Sequence, residues 1–204
     1  MKNMRMNLKS LALIAVLATG MFAVSCDKEN DLFMQDEMTA QDVELKKGQS
    51  LSPGTMSIAA IALADDGEFD ELVAALVHVD TELNAGLVNL FLNGTDQYTV
   101  FAPTDAAFEA LYKVLGVSAI TEVDAQTVLN VLLYHVTEGR RAANSVVPKN
   151  GIRTIETLLG STFSVNTAGQ ITAVGNKASI VSANISASNG IIHVIDTVIL
   201  PITL

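Results

Sequence analysis

Apolar positions recur with two different periods along this chain, and the change falls near Arg141. Before it the spacing is helical. Residues 55–64 read as a short helix broken at Asp65-Asp66-Gly67. Phe69, Leu72, Val73, Leu76 and Val77 then fall on one face of a second helix whose first turn is acidic. On that wheel His78 lies half a turn from the centre of the stripe, which predicts a solvated histidine. Residues 83–92 read as a third helix, stopped by Asn93-Gly94. Residues 98–101 form a strand closed by Pro103. Thr104 is placed as the N-cap of a helix carrying Phe108, Leu111, Tyr112 and Leu115 up to Gly116, with Asp105 behind the cap. Residues 125–136 make one more helix, mostly apolar and ended by Gly139.

Beyond Arg141 the runs shorten and become rich in Val, Ile, Thr and Ser. Residues 163–165, 171–174, 179–185 and 191–200 read as strands. Turn signals separate them at Thr167-Ala168-Gly169, Gly175-Asn176 and Asn189-Gly190, the last a hairpin signal. Helices first and strands afterwards predict an α+β domain.

The first 25 residues follow different rules. Lys2, Arg5 and Lys9 precede an apolar run over residues 11–24, and Ser25-Cys26 follows it. That is the layout of a secretory signal, too short to span a bilayer and cut off by Asp27-Lys28-Glu29. Ala23-Val24-Ser25-Cys26 resembles a bacterial lipobox, in which Cys26 becomes the lipidated first residue of the mature chain. Residues 26–51 carry seven acids and three lysines without periodicity, which reads as a flexible tether with a reach of roughly 25 to 30 Å. Its leading acids, Asp27, Glu29 and Asp31, look like the export signals that send some Bacteroidetes lipoproteins to the cell surface; a solvated linker accounts for them equally well. The expected location is the outer membrane, facing the periplasm or the exterior, with contact to the membrane through the anchor alone.

Charge narrows the function. The 204 residues hold 12 basic and 22 acidic side chains, and removing residues 1–25 leaves a net charge of −13. A surface of that sign repels phosphate polymers, so nucleic acid is excluded as a partner. Cys26 is the single cysteine. The histidines at 78, 135 and 193 are scattered, so neither a disulfide framework nor a Cys/His metal centre is expected. No cofactor is implied.

Three segments carry a resemblance. The first runs Thr99-Val100-Phe101-Ala102-Pro103-Thr104-Asp105-Ala106-Ala107-Phe108, the second is Tyr134-His135, and the third covers residues 189–201 from Asn189-Gly190 to Pro201. In order and separation they resemble the signature blocks of the fasciclin (FAS1) domain, across residues 52–204. The resemblance implies a wedge-shaped FAS1 fold, a β-sandwich with packed N-terminal helices, of the kind used for extracellular adhesion and matrix contact. It makes Thr104, Asp105, Tyr134, His135, His193 and Asp196 motif residues.

Catalysis is not expected from these groups. Along a strand through residues 191–199, His193 shares a face with Ile191, Ile195 and Ile199, whereas Asp196 points the other way, so the two cannot form a dyad. A buried Asp196 would need a partner, for which Arg140 or Arg141 is a candidate. His135 is expected to be a satisfied core histidine. In animal fasciclin domains an Asp-Ile pair before the last block and the Tyr-His region have been ascribed to integrin contact. Here the pair reads Asn184-Ile185, so metal-mediated contact is not carried over. Tyr134 and His135 match the Tyr-His region, but their mostly apolar helix favours a core role. Two formal glycosylation sequences, Asn93-Gly94-Thr95 and Asp196-Thr197-Val198, carry no assignment.

The leading expectation is therefore a non-enzymatic adhesion or matrix-contact lipoprotein whose partner is a protein or glycan. Its candidate contact residues are Asn184, Ile185, Ser186 and Ser188, in an expected exposed loop. The alternative is a glycan-binding or small-molecule-binding lipoprotein associated with polysaccharide uptake. Aromatics make up only 5% of the chain and there is no Trp, which leaves little to stack on a sugar.

Overall fold

The computed structural model describes residues 53–64 and 67–203. The expected signal, Cys26, the tether and the Asp65-Asp66 break lie outside the described residues. Helices α1 (Ile58–Ala64), α2 (Asp70–Leu83) and α3 (Leu87–Asn93) come first, followed by strand β1 (Tyr98–Pro103), α4 (Asp105–Leu115), a single 3-10 turn (Ile120–Glu122) and α5 (Ala125–Tyr134). Then come β2 (Val136–Glu138), α6 (Ala143–Val146), β3 (Ile152–Glu156), β4 (Thr162–Asn166), β5 (Gln170–Thr172), β6 (Lys177–Ala187) and β7 (Gly190–Ile195). The α+β expectation holds.

The seven strands form one ladder in the order β2-β1-β7-β6-β5-β4-β3. Only β1 and β7 pair in parallel, joining Tyr98 to Gly190 and Pro103 to Ile195 across some ninety residues of sequence. Alternation sends Val100, Ala102, Ile192 and Val194 to one face, where they pack with Leu72, Val79, Phe91, Phe108 and Leu132 of the helices. Phe101 and Ile195 point to the other face and meet Ile155, Phe163, Val165 and Ile171 from β3, β4 and β5. The rings of Phe101 and Phe163 pack edge to face with centroids 5.0 Å apart. The ladder thus folds back on itself through its longest strand, β6, and the sandwich is two halves of one sheet around a second core.

Local chemistry fixes the helix ends. The Thr104 hydroxyl accepts from the Ala107 N–H (3.2 Å), and Gly116 in the left-handed region donates to the Tyr112 carbonyl (2.8 Å), as the sequence predicts. The third helix starts later than expected, at Leu87. Asn84 takes a left-handed φ of 52° and ends α2, and the Asp80 carboxylate accepts from the N–H groups of Leu87 and Val88 at 2.8 Å each. The buried stripe of α2 is Leu72, Ala75, Leu76 and Val79, rotated from the expected one, and Val77 is exposed. His78 is accordingly half-buried, its Nε2 3.1 Å from the Val123 carbonyl, and not simply solvated.

The helix expected over 125–136 stops at Tyr134. His135 is its C-cap, and the chain then extends so that Val136, buried in the helical core, pairs with Val100. Strand β7 ends at Ile195, five residues short of expectation. Asp196 therefore sits at an exposed bend, where Oδ1 accepts from the Ser179 N–H (2.7 Å) and the Thr197 hydroxyl (3.1 Å). The expectation that Asp196 is buried and partnered by Arg140 or Arg141 is corrected: the carboxylate stays in water and serves as a main-chain acceptor between β6 and the end of β7.

The Asn189-Gly190 signal does mark a hairpin, but its turn residues are Ser188 and Asn189, and Ala187 pairs with Gly190. Gly190 is required by close approach: a Cβ there would lie 2.1 Å from the Tyr98 carbonyl oxygen. Gly190→Ala must push β1 and β7 apart, and we expect a loss of about 3 kcal/mol in urea unfolding. Gly116→Ala, strained in φ but opening onto free space, should cost only about 1 to 2 kcal/mol.

Candidate functional site

Of the motif residues, His135 and His193 come together where β1, β7, the end of α5 and residues 139–141 meet, whereas Asp105 faces α2, Tyr134 faces the second core and Asp196 lies at the exposed bend. Burial excludes water from this junction, so each polar group must find a partner inside the protein. His135 is 3% exposed. Its Nδ1 lies 2.7 Å from the Val131 carbonyl, one turn back along α5, and its Nε2 receives the Ile199 N–H at 3.0 Å. A carbonyl can only accept and an amide can only donate, so the ring is held as the neutral Nδ1–H tautomer. Its main-chain carbonyl accepts from the Phe101 N–H at 2.9 Å. One residue thus ties α5, β1 and the segment after β7.

His193, fully buried on β7, is the mirror case. Nε2 lies 2.9 Å from the Arg141 carbonyl, and Nδ1 receives the Asn184 N–H at 3.4 Å, which selects the Nε2–H tautomer. Its ring packs against Phe101 at 5.5 Å. Desolvation lowers both pKa values, that of His135 to about 4. Tyr134 points into the second core against Phe163, and its hydroxyl donates to the Thr162 carbonyl at 2.8 Å. Asp105 receives the Glu71 N–H at 2.9 Å, and Glu71 accepts from the Tyr112 hydroxyl at 2.5 Å. Burial and that carboxylate raise the Tyr112 pKa, so the phenol stays a donor that locks α4 to α2.

Two residues named from the sequence, Arg140 and Asn189, take roles at this junction that the sequence did not indicate. The Arg140 guanidinium donates to the carbonyls of Ala187 (2.8 Å) and Gly190 (2.6 Å) and to the Ser186 hydroxyl, clamping the β6–β7 turn. Asn189 uses its side chain at both ends: Oδ1 accepts from the Ile58 N–H at 2.8 Å and Nδ2 donates to the Phe91 carbonyl at 2.9 Å. The available signal was the Asn189-Gly190 turn, with the pair Arg140-Arg141 some fifty residues earlier in the chain. It names a turn and cannot say which carbonyls converge there.

The candidate contact residues are not in a loop. Asn184, Ile185 and Ser186 belong to β6, and only Ser188 follows it. The expectation of an exposed loop is corrected: two register shifts bulge β6 between Ile180 and Ile185, and Asn184 takes a φ of 70°. The Asn184 Oδ1 accepts from the Ala143 N–H at 2.7 Å, and Ile185 packs against the helical core. Ser188 is exposed, as are Val181 and Ser182 at the bulge. Among the described residues no cluster of His, Cys, Asp and Glu could hold a metal ion.

Helices cover one face of the sheet, its own far half covers the other, and buried polar side chains are turned onto the main chain; these features define an α+β domain closed by its motif residues. The Fasciclin domain profile matches residues 67–201, and the chain belongs to that family. Protein sll1483 of Synechocystis is 35% identical over 167 residues, covering 81% of this chain and 84% of the relative. Cell surface glycolipoprotein MPB83 of Mycobacterium bovis is 35% identical over 112 residues, covering 54% of this chain and 46% of the relative. Among solved structures, a FAS1 domain pair from the insect cell adhesion molecule fasciclin I aligns with a TM-score of 0.45 and 17% identity. That alignment covers 64% of this chain and 45% of the other.

The histidine geometry makes a pH prediction. An unfolded His titrates near 6.5 and folded His135 at about 4, so on acidification the unfolded chain binds the proton first. The cost is absent above pH 6.5 and grows as pH falls toward 4, reaching about 3 kcal/mol. Urea unfolding of the wild type should weaken over that window more steeply than that of His135→Gln; parallel curves would place the acid sensitivity elsewhere. At pH 7, His135→Ala should cost roughly 1 to 3 kcal/mol by stranding the Ile199 N–H and the Val131 carbonyl.

Proposed function

We propose that this protein is a lipid-anchored extracytoplasmic module whose fasciclin domain makes adhesive or matrix contacts without catalysis. The observation that carries the reading is the junction itself. Both ring nitrogens of His135 and His193 face main-chain groups, so the family's motif histidines hold the fold and recognition falls to the outer faces. Anchoring rests on the lipobox-like Ala23-Val24-Ser25-Cys26, and a relative bearing the name cell surface glycolipoprotein supports a surface location. Partners are proteins or glycans. Stacking on a sugar ring is not the favoured mode, since of the eight described aromatic residues seven are buried and Tyr98 is half-buried.

The contact surface we assign is the bulged stretch of β6 and its turn. Val181, Ser182 and Ser188 supply exposed atoms there, and Asn184, Ile185 and Ser186 hold the bulge beneath them. A neutral carboxamide already bonded to Ala143 is a poor ligand for a divalent cation. Adhesion of purified mature protein to matrix-coated surfaces should therefore survive chelation, and Val181→Glu with Ser188→Glu should reduce it severalfold without changing thermal stability. Adhesion abolished by chelator, or undiminished in the double variant, would overturn the assignment. Wild type should partition into detergent with a diacylated N-terminus, and Cys26→Ser should remain uncleaved; an unmodified mature N-terminus by mass spectrometry would refute the anchor.

A further inference from the structure

The chain contains three Asn-Gly pairs, at 93–94, 150–151 and 189–190, and the fold treats them differently. In such a pair the glycine amide nitrogen, on losing its proton to base, attacks the Asn Cγ. A C–N bond forms, the Cγ–Nδ2 bond breaks and ammonia leaves, giving a five-membered succinimide. Water then opens either imide C–N bond, yielding aspartate or isoaspartate, so the net change is Asn plus water to an acid plus ammonia. Glycine presents the least steric hindrance to this attack, and the step needs a free amide and a side chain able to turn onto it.

Asn189 has neither freedom. Its side-chain oxygen and nitrogen are both bonded in a buried site, and Gly190 is packed against the Tyr98 carbonyl. Asn93 is intermediate: it is exposed, but its Nδ2 donates to Asn89 Oδ1 at 2.9 Å and the Gly94 N–H donates to the Leu90 carbonyl at 3.0 Å. Asn150 and Gly151 are both exposed in a bend before β3, and among the described residues neither the Asn150 side chain nor the Gly151 N–H makes a hydrogen bond. Nothing lies within 4 Å of where a Gly151 Cβ would project.

We propose that Asn150 is a site of spontaneous deamidation in the folded protein, selected by the fold from three pairs of the same sequence. The product is tolerated, because Asn150, Gly151 and Ile152 are all exposed and none belongs to either core. Deamidation places a carboxylate beside Lys149 and three residues from Arg153, and the isoaspartyl form adds one methylene to the backbone at the entry to edge strand β3. A long-lived extracytoplasmic population would thus accumulate a second, more acidic form that is still folded.

The test is to incubate the purified full mature chain at mildly alkaline pH and map all three sites by mass spectrometry after Glu-C digestion, with isoaspartate detection. In the folded protein Asn150 should react about tenfold faster than Asn93, and Asn189 should stay intact, since its reaction waits on unfolding. In urea the three should converge. The acidic species on isoelectric focusing should be missing from Asn150→Gln. Equal rates at 150 and 189 in the folded protein, or the same ranking persisting in urea, would overturn the proposal.

Discussion

The parallel pairing of β1 with β7 is the constraint on which the rest depends. It joins segments some ninety residues apart, and every other layer is positioned by it: helices against one face, the returning half of the sheet against the other. A parallel pair cannot be closed by a short turn, so the ends of β1 and β7 must be held by other means. Here a carboxamide and a guanidinium do so. Asn189 ties the start of β7 to α1 and the end of α3, and its main-chain carbonyl receives the Tyr98 N–H at 3.1 Å. Arg140 clamps the turn from the side.

The far end of the same strand pair is held by imidazole. His135 and His193 each bridge a donor and an acceptor of the main chain, in opposite tautomers, where a carboxylate or an amine would bring a buried charge. A neutral ring with one donor and one acceptor suits that geometry, and acid is what removes the acceptor. The family's signature blocks are thus read as closure chemistry. The bulge in β6 is where this chain departs most from regular pairing.

Much of this was legible in the residues. Thr104 with Gly116 bounded α4, the alternation in β7 assigned His193 to the face of Ile195, and the segmental change of period gave the α+β class. What failed did so for physical reasons. Strands β2 and β3 and helix α6 have three to five residues, and short edge segments show little burial pattern: in β3 only Ile155 is buried. The apolar run after Ile195 hid the bend that exposes Asp196, because Val198, Ile199 and Leu200 are buried without being in a strand. The roles of Arg140 and Asn189 depend on carbonyls from several distant segments, and no local spacing encodes such convergence. At the candidate contact residues, a run of small polar side chains read as loop was a strand deformed by bulges, with Asn184 facing inward to Ala143.

Native-state hydrogen exchange tests the central claim most directly. The amides of Ile58, Tyr98, Phe101 and Ile199 each donate to a group of the closure residues Asn189 or His135. If those residues hold the molecule together, all four amides should exchange only through global unfolding, with opening free energies within about 1 kcal/mol of one another. Exchange of Ile58 and Tyr98 several kcal/mol more easily than Phe101 and Ile199 would contradict the account, showing that the Asn189 end opens on its own while the rest of the fold stays closed.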